Sequence, residues 1–126
     1  MDRRGGAMNA ASTDRWLVAC LCAAWCRTCD DYRPVFDALA REFGPQARFV
    51  WVDIEDDEAV MSGVDVDDFP TLLIAHDDTM KFFGPVLPHL GTAQRLIQAA
   101  MHDELAVLDD AQLNGLAARV RALAHR

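Results

Sequence analysis

Four cysteines, Cys20, Cys22, Cys26 and Cys29, fall within ten residues of one another. Thiols at that density allow two chemistries: reversible disulfide exchange, or binding of a soft metal by thiolates. The closer pair, Cys26-Arg27-Thr28-Cys29, lies just after an apolar run, Trp16 to Cys22, and opens a stretch with apolar residues at helical spacing. A dithiol at a strand-to-helix junction reads as a redox site, and the reason is electrostatic. The first turn of a helix carries unsatisfied N–H groups and the positive end of the macrodipole, both of which favour a thiolate. Only the thiolate attacks a disulfide. Cys26 is therefore the expected nucleophile and more accessible thiol. Cys29, one turn inside, is the expected resolving thiol, which closes the ring and expels product. Arg27 adds positive charge beside Cys26. The oxidised form is expected to hold a Cys26–Cys29 bond, and the reduced form to stay folded, because a four-residue ring adds little loop-closure constraint.

The metal alternative is Cys20-x-Cys22-x₃-Cys26-x₂-Cys29 as four zinc ligands. Closed zinc sites come from two loops or knuckles, whereas Cys20 and Cys22 lie inside an apolar strand, where free cysteine is a common core residue. No metal and no cofactor are expected; Cys20 and Cys22 stand as core residues and accessory thiols. His76, His89, His102 and His125 show no ligand or base spacing to the cysteines, and read as surface residues. There is no Gly-rich phosphate loop and no serine-elbow motif.

The elements that must position the dithiol follow from periodicity. Trp16 to Cys22 reads as a buried strand. The helix after it, from near Cys26, has Tyr32, Val35, Phe36, Leu39, Ala40 and Phe43 on one face, and Gly44-Pro45 ends it through a left-handed cap. Phe49 to Ile54 is a second strand, parallel to the first through a right-handed crossover. A short helix is expected from Asp56 to Ser62. Thr71 to Ala75 and Met80 to Phe83 form an antiparallel hairpin about Asp77-Asp78, ended by Gly84-Pro85. Thr92 is the expected cap of a helix running to Met101. A last helix, from near Asp110, has Leu113, Leu116, Ala117, Val120, Leu123 and Ala124 as its apolar stripe.

Trp25-Cys26-Arg27-Thr28-Cys29 resembles the Trp-Cys-x-x-Cys signature of the thioredoxin family. Pro34 matches the family's kink-forming proline, five residues after the second cysteine. Phe69-Pro70-Thr71 resembles the cis-proline loop that faces the dithiol, and Gly84 matches the glycine ending the last strand. The resemblance covers Trp16 to Met101. It implies an α/β thioredoxin-like fold with a minimal βαβ–ββα core and a four-stranded mixed sheet. The usual N-terminal strand and helix are lacking, and an extra C-terminal helix is added. It also implies that Trp25, Arg27, Thr28, Phe69, Pro70 and Thr71 meet the substrate. The sequence departs from the family in four places. Arg-Thr replaces Gly-Pro between the cysteines, Cys20 stands where the family has a buried acid, Trp51 where it has that acid's lysine partner, and Cys22 where it has a tryptophan. The family's proton relay to the resolving thiol is thus missing or replaced.

The 126 residues suffice for one domain. The expected division is a loose tail at 1–14, the thioredoxin-like domain at 15–102, and a helical extension packed on it at 103–126. A net charge of −8 repels nucleic acid and anionic lipid, so neither is an expected partner. Arg3 and Arg4 ahead of the Trp16 run imitate a signal peptide. The stretch between them is polar, and cleavage there would remove the cysteine motif, so a cytoplasmic protein is expected. Asp53 to Asp68 holds eight acids, read as a solvated face; Asp67 and Asp68 would repel acidic peptides near the cis-proline loop. With a neighbouring strand missing, Phe49 to Ile54 is an open edge that invites self-association. The function expected is a thiol–disulfide oxidoreductase that reduces protein disulfides, supplied by an upstream disulfide reductase. The alternative is a partner-binding module of the same fold with little redox turnover.

Overall fold

A computed structural model describes residues 15–110, 113 and 115–124. The elements in chain order are β1 (Trp16–Cys22), α1 (Arg27–Phe43), β2 (Arg48–Asp53), α2 (Glu58–Met61), β3 (Thr71–His76), β4 (Thr79–Pro85), α3 (Leu90–Met101) and α4 (Leu116–Ala124). The sheet order is β2-β1-β3-β4, with β1 parallel to β2 and the other two pairs antiparallel. This is the four-stranded mixed sheet of a thioredoxin-like α/β fold. β1 is apolar on both sides because helices cover both faces of the sheet, so its sequence reads as an unbroken run.

Successive strand residues point to opposite faces, and this sorts β1. Val18, Cys20 and Cys22 join Leu72 and Ile74 beneath Cys29, Tyr32, Phe36, Leu39 and Phe43 of α1 and Ala93, Ile97 and Ala100 of α3. Phe36 also meets Phe49 and Trp51 of β2 edge-on, at 5.5 and 5.6 Å between ring centroids. On the opposite face, Leu17, Ala19 and Leu21 join Val50, Val52, Leu73 and Ala75 against Met61 of α2 and Leu116, Ala117 and Val120 of α4. α4 is tied down by polar contacts too: Arg119 donates to the Val60 carbonyl at 2.6 Å, and Arg121 to the carbonyls of Arg15 and Asp77, each at 3.0 Å.

Several element ends differ from expectation, each for a local reason. Gly44 is right-handed (φ −54°, ψ −35°), not a left-handed cap. Glycine is needed there because a Cβ would run into the Ala40 carbonyl oxygen. Thr92 does not cap α3. The helix starts at Leu90 with His89 as its N-cap, and the Thr92 N–H already donates to the His89 carbonyl at 3.1 Å. α2 is shorter than expected at both ends: it starts at Glu58 after the non-helical Asp57 (φ −108°, ψ 40°), and it stops where Ser62 and Gly63 turn left-handed, at φ 31° and 85°. The last helix begins at Leu116 rather than near Asp110, since Gly115 at φ 84° lies outside helical geometry. The tail expected at 1–14 lies outside the described residues, as do 111, 112, 114, 125 and 126. Among the described residues, no helix is long and apolar enough to cross a membrane.

Candidate active site

β1 ends at Cys22, and the chain must reverse before α1 can cross back over the sheet. It does so through Ala23, Ala24 and Trp25, and the Cys26 N–H closes the turn on the Ala23 carbonyl at 3.0 Å. Cys26 is the extended N-cap of α1 (φ −89°, ψ 117°). Its carbonyl accepts from the N–H groups of Cys29 and Asp30 at 3.2 and 3.3 Å. Its side chain makes no capping bond, so the sulfur stays free, in a half-buried position.

The disulfide joins Cys22 and Cys29, not Cys26 and Cys29. Their Cα atoms are 5.9 Å apart, inside the span a disulfide can bridge. The cause is the alternation of β1. Cys20 and Cys22 both face α1, and Cys29 is the first residue of α1 to turn into the core, so Cys22 and Cys29 meet there. Cys26 packs only at the margin of that core.

Cys20 is a free, fully buried thiol with its sulfur 3.7 Å from that of Cys22. A disulfide sulfur carries no proton, so Cys20 S–H is the donor in this contact. Burial drives the Cys20 thiol far above the ordinary thiol range, and the positive charge of Arg33 only partly opposes it. A thiol held so firmly protonated is a donor and not a base. Arg33 itself lies 4.6 Å over the ring of Trp51, the strand neighbour of Cys20. Tyr32 is fully buried in the same cluster, and its hydroxyl has no hydrogen-bond partner.

The loop before β3 reaches the same end of the sheet. The Phe69–Pro70 peptide bond is cis. Trp25, 68% exposed, packs edge-on against Phe69 with ring centroids 5.6 Å apart, which places that loop beside the start of α1. The Pro70 carbonyl accepts from the Val86 N–H at 3.1 Å. Thr71 is buried and its hydroxyl donates to the Asp68 carbonyl at 2.6 Å, so that side chain braces the loop from within. Arg27 is exposed and Thr28 half-buried on the first turn of α1.

A recess of about 420 Å³ borders Cys29 and is lined also by Asp30, Arg33, Trp51 and Asp53. A larger one, about 530 Å³, lies at the Trp16 end of β1, away from every cysteine. Among the described residues no three His, Cys, Asp or Glu side chains gather in a way that could hold a metal ion. Sequence reasoning missed the bond from Cys22 to Cys29 and the unpartnered hydroxyl of Tyr32. The signals were present as the two-residue step from Cys20 to Cys22 and the three-residue step from Cys29 to Tyr32.

The family model described as Thioredoxin matches residues 7–86, more than half the chain. The thioredoxin of Bacillus subtilis (strain 168) is 28% identical over 69 residues, which cover 55% of this chain and 66% of that protein. The thioredoxin of Haemophilus influenzae is 36% identical over 52 residues, or 41% of this chain and 49% of that protein. The chain thus spans about half to two thirds of the length of these curated relatives. The crystal structure of thioredoxin from Trypanosoma brucei brucei superposes with a TM-score of 0.61 at 26% identity, covering 79% of this chain and 86% of that one.

Proposed function

Because the chain belongs to the thioredoxin family, we propose that it is a thiol–disulfide oxidoreductase that reduces protein disulfides by mixed-disulfide exchange. The observation that carries this reading is the placement of Cys26. It is the one free cysteine that is not fully buried, and it caps a helix beside Trp25 and the Phe69–Pro70 loop. In the reduced protein the Cys26 thiolate attacks a substrate disulfide. A mixed disulfide forms and the first substrate thiolate leaves. Cys29 then attacks the Cys26 sulfur, the second substrate thiolate leaves, and two electrons have passed to the substrate. The backbone of Pro70 and Thr71 holds the substrate peptide, while Trp25, Phe69, Arg27 and Thr28 border it. An upstream disulfide reductase in a reducing compartment such as the cytoplasm returns the electrons.

The test is reduction of insulin disulfides by the wild type beside Cys26→Ser, with dithiothreitol as electron donor. The wild type should exceed the rate of dithiothreitol alone, and Cys26→Ser should fall back to it with its urea unfolding midpoint unchanged. A wild type no faster than dithiothreitol alone would instead support the partner-binding module, for which the exposed Trp25 beside Phe69 supplies a contact surface.

A further inference from the structure

We propose that Cys22 is a third redox thiol, which takes Cys29 into a buried disulfide and thereby returns Cys26 to its free form after each turnover. The pairing stands on geometry. Cys22 and Cys29 are 2% and 1% exposed, bonded to each other, and placed on facing elements, the end of β1 and the first inward turn of α1. Cys26 is left outside that bond, half-buried and unbonded.

The exchange step rests on the oxidoreductase reading given above; the pairing does not. Substrate reduction leaves a Cys26–Cys29 bond. Cys22, as thiolate, attacks the Cys29 sulfur; the Cys22–Cys29 bond forms, the Cys26–Cys29 bond breaks, and Cys26 leaves as a thiolate. The proton lost by Cys22 is balanced by the one Cys26 takes up. No electron enters or leaves the protein, so no further oxidant or reductant is required. Cys20 has a part in this step. Its S–H, 3.7 Å from Cys22, can donate to the Cys22 sulfur while that sulfur carries charge inside the core. Burial raises the Cys20 pKa, which favours its protonated, donating form beside Cys22. The arrangement also separates two tasks. The oxidising equivalent is stored away from solvent, while the sulfur that meets substrates stays available for a second encounter.

Two measurements test this. The variant Cys20→Ala/Cys26→Ser retains only Cys22 and Cys29 as thiols. Treated with oxidised glutathione and counted under denaturing conditions, it should pass from two thiols per chain to none without dimerising. Cys26→Ser alone, a milder change, should pass from three to one. Retention of both thiols, or closure only between chains, overturns the inference. In the second measurement, reduced wild type is mixed with insulin, quenched with acid at increasing times and alkylated after unfolding. The alkylated residue should shift from Cys22 at early times to Cys26 at late times, with Cys20 alkylated throughout. Alkylation of Cys22 that persists to equilibrium overturns it equally. Insulin reduction by wild type with no closure in the variants defeats this inference and spares the oxidoreductase reading. Closure in the variants without insulin reduction upholds the pairing, defeats the exchange step and defeats that reading.

Discussion

On one face of the sheet, α1 and α3 cover Val18, Cys20, Cys22, Leu72 and Ile74; on the other, α2 and α4 cover Leu17, Ala19, Leu21, Leu73 and Ala75. Each face is sealed by two helices, and the two sets of β1 residues interleave one by one. The first holds two buried cysteines bonded to each other, a buried free thiol and a phenol hydroxyl with no partner. The second, within the described residues, buries apolar side chains and, at the start of β3, Thr71, whose hydroxyl is satisfied by the Asp68 carbonyl. A single strand therefore does two jobs at once, separated by the direction in which each Cβ points. The scaffold face needs only volume and apolarity. The cysteine-bearing, chemical face also buries one polar atom without a partner, the Tyr32 hydroxyl, at a cost in stability.

The largest effect that would break this contrast belongs to the scaffold face. Leu21 is fully buried on β1, an inner strand of the sheet, and Leu21→Ala should cost about 2–5 kcal/mol through lost transfer energy and a residual cavity. Urea denaturation measures the loss. Insulin reduction per folded molecule should stay at the wild-type rate, and a fall in that rate would mean that the two faces are coupled. A smaller effect of opposite sign belongs to the chemical face. Tyr32→Phe removes a buried hydroxyl that makes no hydrogen bond and should raise stability by about 1 kcal/mol, since an unsatisfied buried group carries a desolvation cost of that order. A lower urea midpoint would show that the hydroxyl finds a partner in solution.

The smallest effect is a slope with pH. Burial raises the folded-state pKa of Cys20 above its unfolded value, so the folded protein keeps a proton that the unfolded chain releases. The stability this gives is fully present below the unfolded thiol pKa, about 8.5, and declines as pH rises beyond it. Tyr32 is shifted in the same direction, by burial and by Cys20, but its ordinary value near about 10 leaves the lower window to Cys20. For the oxidised protein, the fall in urea midpoint between about pH 8 and 9.5 should be shallower in Cys20→Ala than in wild type. Equal slopes would mean that Cys20 ionises freely in the fold.

Most of the framework was legible because it depends on patterns a sequence states outright. The unbroken run of β1, the helical face of α1 and the Asp77-Asp78 turn all depend on local spacing, and the structure has them where that spacing puts them. What was not legible depends on distance between elements. Cys26 and Cys29 are close in sequence, so they read as a pair. The bond from Cys29 to Cys22 required knowing that the end of β1 and the first inward turn of α1 come within 5.9 Å, Cα to Cα. Gly44 taught a similar lesson at smaller scale. Its place at the end of α1 was apparent, but the reason for glycine lay in the Ala40 carbonyl one turn back.

The order in which the chain is made gives the position of α4 a consequence in time. Every strand of the sheet is complete by Pro85, whereas the helix that covers Leu17, Leu21 and Leu73 begins only at Leu116. Ribosomes add about 5–20 residues per second, so those roughly thirty residues take a few seconds to appear. During that interval one side of the sheet has only the four-residue α2 over it, while the side carrying the cysteines already has α1. The newborn protein thus exposes its scaffold before its chemistry, and a holdase or a neighbouring nascent chain would meet that apolar side first.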